Sequence, residues 1–365
     1  MIKKAVRSNT TIDAMRIFLI MVIIYLHCQP LLGSLAIENS TIEFIYNKIF
    51  AICDLALPVF FAISGFFLFG IKNDSVRFKK FVKLIKTLLW AEALYLLVSF
   101  VVGGVGVNIA PFLDIANWIN LFTAAVPIPI ASGISNLPLW YLVCLSIVSF
   151  IMWFAGKYRG KVMIAVAVIG FLIGNLHGAY AGFADSTVVI PILDKIFGTD
   201  LDYLTQGFLY ISIGYFVHKY QDKIKKLPAW SLTVAIPISF VLFLVEKEFL
   251  TTNGFMVPAF VFVTMAFSIA SPKLFSKKLS IFASWGAKYS IYMYIFHPIV
   301  IFVLNHFLMP IFMPANLLTM IGYWLLVCAV SLIISIGFVG LKDIVVSRVM
   351  KIKKELSIKV KKFLA

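Results

Sequence analysis

RIFLIMVIIYLH, residues 16 to 27, opens on an arginine, closes on a histidine and holds only apolar side chains and one tyrosine between them. A surface helix of a soluble domain keeps one polar face. This run has none, so it belongs in hydrocarbon. The same reading extends along the chain. Its 365 residues are 62% hydrophobic and 13% charged, far from the composition of soluble globular domains. Apolar stretches recur at the length, roughly 20 residues, that a helix needs to cross a bilayer. Backbone polar groups in lipid must be satisfied within the segment, so helices are the default. Spans at 13–33, 47–70, 81–103, 137–155, 162–181, 203–218, 229–246, 254–271, 288–309 and 316–341 predict an all-α polytopic membrane protein with about ten transmembrane helices. The piece PFLDIANWINLFTAA, residues 111–125, reads as interfacial or re-entrant.

The formal charge of +16 does not point to nucleic acid, because of where the charges fall. Of 32 Lys and Arg, all but Lys48, Lys195 and Lys247 lie in the N-terminus, alternate loops and the C-terminal end. By the positive-inside rule both termini face the cytoplasm. Residues 1–345 read as one transmembrane domain and 346–365 as a basic cytoplasmic tail against membrane lipid. Cys28, Cys53, Cys144 and Cys328 lie in predicted helices and suggest neither disulfides nor a metal site. The first apolar run is longer than a signal-peptide core and is expected to be retained.

Arg16 and His27 are eleven residues apart, which is three helical turns plus a small angle, so they share one face about 16 Å apart along the axis. An arginine at a helix entrance is often a topological anchor, and a histidine near an interface is often a packing residue. Ionisable groups inside a span are nevertheless functional candidates. A flexible acyl carrier with a charged end in the cytoplasm and a thioester reaching inward needs groups so arranged.

Arg16, ten residues and His27, preceded by Asp13 in TIDAMR, resembles the signature of the acyltransferase-3 family of membrane O-acyltransferases. LPVFFAISGFFLFG (57–70) resembles that family's second-helix FFxxSGF motif, LPLWYL (137–142) its Leu-Trp-Phe-Leu helix start, and GAKYSIYMYIFHPIV (286–300) its penultimate-helix segment ending in histidine. The resemblance covers nearly the whole chain. It implies transfer of an acyl group, usually acetyl, from cytoplasmic acetyl-CoA to a hydroxyl of a cell-surface or lipid-linked glycan, in the inner membrane of a bacterium and without a metal. It also implies that His27 is catalytic and that Arg16 binds the donor. Some members carry a fused esterase-like domain and none is visible in this sequence, so either this chain completes the transfer or it needs an esterase-like partner; a homodimer is a further expectation.

His27 would take the acceptor's proton as its oxygen attacks the thioester, or else form an acyl-histidine. Glu92, in the third span, either orients that imidazole or receives its proton, or else makes an interhelical hydrogen bond. Asp54 is placed to face the acceptor. In SVRFKKFVKLIK (75–86), Lys79, Lys83 and Lys86 share a helix face, which is either a solvated positive-inside face or a phosphate contact. The family's Arg-x-x-Arg is here Arg77-Phe-Lys-Lys80, and lysine lacks the planar fork of arginine. Arg77, Lys80, Lys83 and Ser64 are the remaining donor-side candidates, and Trp140 and His297 join Asp54 on the acceptor side. Ser290, Tyr294 and His297 share a face of the ninth span, with Pro298 expected to kink it. Trp140 and Tyr141 also read as interface anchors. The rival from another class is a transporter or glycan exporter with Arg16, His27 and Glu92 lining its path.

Overall fold

The architecture comes from a computed structural model, which describes residues 9–28, 49, 52–70, 73–104, 110–123, 127–128, 134–174, 201–249, 255–272, 280–312 and 317–364. Every regular element among the described residues is helical: α1 (Thr10–His27), α2 (Ala56–Phe69), α3 (Asp74–Gly103), α4 (Ala110–Leu113), α5 (Ile115–Thr123), α6 (Trp140–Phe154), α7 (Arg159–Gly174), α8 (Leu201–Lys219), α9 (Gln221–Ile224), α10 (Ala229–Phe249), α11 (Met256–Ala270), α12 (Ser280–Phe312) and α13 (Leu317–Leu364). Short 3₁₀ turns at Leu137–Leu139 and Gly156–Tyr158 lead into α6 and α7. All but the short α4, α5 and α9 fall on the ten apolar stretches of the sequence. Among the described residues, five stretches, Thr10–His27, Asp74–Gly103, Leu137–Phe154, Ser280–Leu308 and Thr319–Ser357, are long and apolar enough to cross a bilayer.

Local chemistry sets the helix ends that matter most for the site. The Asn9 side-chain oxygen accepts hydrogen bonds from the Thr11 and Ile12 N–H groups, each at 3.1 Å, and so caps α1. Its amide nitrogen donates to the Ser268 carbonyl at 2.8 Å, while Thr11 donates to the Ser271 carbonyl at 2.6 Å. The start of α1 is thereby tied to the end of α11. Asn73 caps α3 by accepting from the Ser75 N–H at 2.8 Å. Gly104 ends α3 with φ +60°, a left-handed cap that glycine adopts without a Cβ penalty.

Packing then fixes direction. The most extensive helix contact joins α1 to α12, and the two run parallel. Gly286 lies against the Asp13 carbonyl at one end, where a Cβ would collide with backbone, and His297 faces His27 at the other. Glycine permits that close approach. The α2–α8 contact works the same way, with Gly65 against the Ile211 carbonyl and Gly214 against that of Ala62. Phe78 on Trp153 and Phe81 on Phe150 set α3 antiparallel to α6. Tyr323 bonded to Asn305, with Phe338 on Phe296, sets α13 antiparallel to α12. Asp74 meets Arg159 at 3.1 Å on the side where α1 begins, and Asp54 meets Lys247 at 3.3 Å on the opposite side. Taken in order, the ten longer helices alternate in direction. Their outward faces carry exposed Leu97, Phe100 and Val101 on α3 and Val234, Ile238 and Val241 on α10, as hydrocarbon-facing surfaces do.

Helix α13 runs on into the basic 346–365 stretch as far as Leu364; that stretch contains no proline or glycine to break it. The 111–125 piece forms the short helices α4 and α5, whose Leu113, Ile115 and Phe122 are exposed. Helix α12 runs through Pro298. A carbonyl of that turn, Ile295, accepts a hydrogen bond from the buried Tyr95 hydroxyl at 2.8 Å, which braces α12 from α3.

Candidate active site

Two cavities lie along the α1–α12 pair. The first, of about 250 Å³, opens near the start of α1 and is lined by Arg16, Ser64, Phe67, Lys80, Tyr141 and Ser290 among others. Arg16 projects from the second turn of α1, with its guanidinium carbon 4.4 Å from the centre of the Phe67 ring. Such stacking holds a planar cation in place without neutralising it. Asp13, one turn back, stays 3.6 Å from the guanidinium. Lys80, half-buried on α3, adds a second cation to the same wall. Two cations and the hydroxyls of Ser64, Tyr141 and Ser290 suit an anionic ligand such as a phosphate-bearing one.

The second cavity, of about 230 Å³, lies at the other end of α1. His27, Ser135, Pro138, Ile301, Phe302 and Asn305 belong to its wall. His27 is exposed to it. His297 stands behind, fully buried, its ring 5.0 Å from that of His27 and tilted by 38°. Neither nitrogen of His297 makes a hydrogen bond of ordinary geometry among the described residues.

Between the cavities runs a wall of rings. Tyr141 and Tyr294, both buried, stack edge to face with centroids 5.2 Å apart. Tyr294 lies 5.8 Å from His297, and Phe60 and Phe61 pack on Tyr141 at 5.2 and 4.7 Å. The Tyr141 hydroxyl is hydrogen-bonded to Ser64. The face of α12 that carries Ser290, Tyr294 and His297 thus leads from the cationic cavity, through the ring wall, to His27. The two cavities share no lining residue among those described.

The predicted site residues separate on this frame. Arg16, Ser64 and Lys80 come together at the first cavity, and His27 and His297 at the second. Arg77 is buried away from the first cavity and bonded to Asp74 at 2.7 Å, while Lys83 is exposed and outside its lining. Lys79 and Lys86 are exposed as well, so that lysine face is solvated. The Glu92 carboxylate is engaged by the Asn136 amide, with both oxygens at 3.2 Å. The same amide donates to the Ile128 carbonyl at 2.6 Å. Glu92 therefore ties α3 to the approach to α6, and no contact joins it to His27 among the described residues. Asp54 is paired with Lys247 and lines neither cavity. Trp140 is buried 5.1 Å from the Phe61 ring. Tyr141 is no interface anchor but the centre of the ring wall, because the 3₁₀ turn before α6 starts that helix inside the protein. Asn305, absent from the sequence reading, enters through the second cavity, and no local motif announces it.

A family model described as an acyltransferase domain, of the acyltransferase-3 type, matches residues 9–340. No curated protein and no solved structure matches the chain.

Proposed function

The chain belongs to the acyltransferase-3 family of multi-pass membrane O-acyltransferases, and on that premise we propose that it moves an acetyl group from cytoplasmic acetyl-CoA to a hydroxyl of a cell-surface or lipid-linked glycan. The observation that carries this reading is the division of one helix pair into two chemically different cavities. Arg16 and Lys80 line one, His27 lines the other, and Arg16 and His27 lie about 16 Å apart on α1. That is the arrangement a donor needs when its phosphates stay among cations and its thioester arm reaches inward.

The alternating directions of the ten longer helices support ten crossings with both termini on one side. The cations concentrate at the ends near the start of α1, which supports a cytoplasmic assignment for that side. A bacterial inner membrane fits this arrangement. In the reaction, His27 accepts the proton of the acceptor hydroxyl while its oxygen bonds to the thioester carbonyl carbon. The carbon–sulfur bond then breaks, and the CoA thiolate leaves and takes a proton. Such proton transfer contributes typically about 10² to 10⁴ in rate. Arg16 and Lys80 hold the nucleotide end, and Ser64 flanks the arm beside Tyr141. The ring wall excludes water from the thioester.

The test uses purified full-length protein in detergent with radiolabelled acetyl-CoA. CoA release and acetyl transfer are expected from the wild type and not from His27→Ala, with acetyl-CoA binding retained. Equal turnover by both proteins would overturn the reading.

A further inference from the structure

The second cavity contains a hydrogen-bonding group that the reaction as written leaves unused. Asn305 lies eight residues beyond His297 on α12, about 12 Å farther along the axis and away from Arg16. It lines the cavity that His27 lines. Its side-chain oxygen accepts a hydrogen bond from the buried Tyr323 hydroxyl of α13 at 2.6 Å. With the oxygen so engaged, the rotation of the amide is fixed and its NH₂ group, a donor of two hydrogen bonds, is the end left for the cavity.

We propose that Asn305, oriented by Tyr323, is the residue that grips the acceptor, and that the pocket it serves selects uncharged, hydroxyl-rich acceptors over anionic ones. This rests on the acyl-transfer reading above. The donor reaches His27 from the Arg16 end, so a group beyond His27 meets the acceptor. Among the described residues no acidic side chain, lysine or arginine lines this cavity; its polar groups are His27, Ser135 and Asn305, set among Pro138, Ile301 and Phe302. A phosphate or carboxylate entering there would lose its water and find no cation among the described residues, a penalty that neutral hydroxyls avoid. Phe302 offers an apolar ring for the CH face of a sugar. Asn305 touches substrate in this scheme, whereas Tyr323 is a positioning residue.

The experiment offers methyl α-glucoside, glucuronic acid and glucose 1-phosphate as acceptors to the full-length enzyme with acetyl-CoA. Ester formation and CoA release are both followed. The glucoside is expected to be used about tenfold more efficiently than either anion. Asn305→Asp preserves shape and can still accept from Tyr323 but removes both donors. It is expected to raise the acceptor KM by about tenfold or more while the donor KM holds, with retained binding of labelled acetyl-CoA certifying the fold. Tyr323→Phe should raise the acceptor KM by a smaller factor and leave kcat at saturating acceptor unchanged. Anionic acceptors used equally well, a loss of acetyl-CoA binding that accounts for the whole Asn305→Asp effect, or an unmoved acceptor KM in Tyr323→Phe would each overturn the proposal. So would a wild type that releases CoA through His27 while no acceptor alters either readout. Absence of any His27-dependent CoA release would instead defeat the acyl-transfer reading.

Discussion

The two cavities are nearly equal in size, about 250 and 230 Å³, and share one pair of helices, yet they differ in almost everything chemical. The first has Arg16 stacked on Phe67, with Lys80 in the same wall. The second has an exposed imidazole and two neutral hydrogen-bonding side chains. Volume therefore says little about what each admits, and charge says most of it. A pocket that keeps two cations half-desolvated stabilises a polyanion, while one without charge admits only what needs no counterion. On the proposed reading, the difference divides one reaction between two places, with donor recognition kept apart from proton transfer.

That division breaks most visibly at His27. His27→Ala is expected to lower acetyl transfer by about 10² to 10⁴ without changing acetyl-CoA affinity, as equilibrium binding of labelled donor would show; a matching loss of donor binding would mean that the cavities are not separate. Arg16 comes next. Because its planar cation lies over Phe67, both Arg16→Ala and Arg16→Lys are expected to raise the donor KM, by about tenfold for the alanine form and only partly recovered by lysine, with the acceptor KM unmoved. Tyr141→Phe keeps the ring but deletes the Ser64 hydrogen bond. A loss of about 1 kcal/mol should appear as a modest drop in melting temperature in detergent and a small rise in the donor KM, with the acceptor KM held. The smallest effect belongs to the Asp54–Lys247 pair, remote from both cavities. A double-mutant cycle with Asp54→Asn and Lys247→Met should give a coupling below about 1 kcal/mol and normal turnover, and a large catalytic effect there would revive Asp54 as an acceptor residue.

Much of this frame was legible before any coordinates. Periodicity within one helix placed Arg16 and His27 on one face, because eleven residues nearly close three turns. The same arithmetic aligned Ser290, Tyr294 and His297. Sequence was weaker wherever two helices had to meet. Arg77 and Lys80 are three residues apart on α3, close enough in angle that only packing decides which one faces Arg16. The outcome is Lys80, with Arg77 engaged by Asp74. Glu92 read either as a partner of His27 or as an interhelical hydrogen bond, and sequence could not name Asn136, 44 residues away in the chain, as the group that holds it. Tyr141 read as an anchor because helix starts usually sit at the interface; that start is buried here, and no local pattern could say so. Asn305 and Tyr323, on separate helices, carry no signature at all.

The ring wall has a consequence for the membrane itself. A bilayer that stores a voltage discharges through any unbroken aqueous path, and a protein hollowed from both faces invites one. On the proposed topology, the buried, stacked Tyr141 and Tyr294 stand as an electrical insulator between the two basins, which share no lining among the described residues for ions to follow.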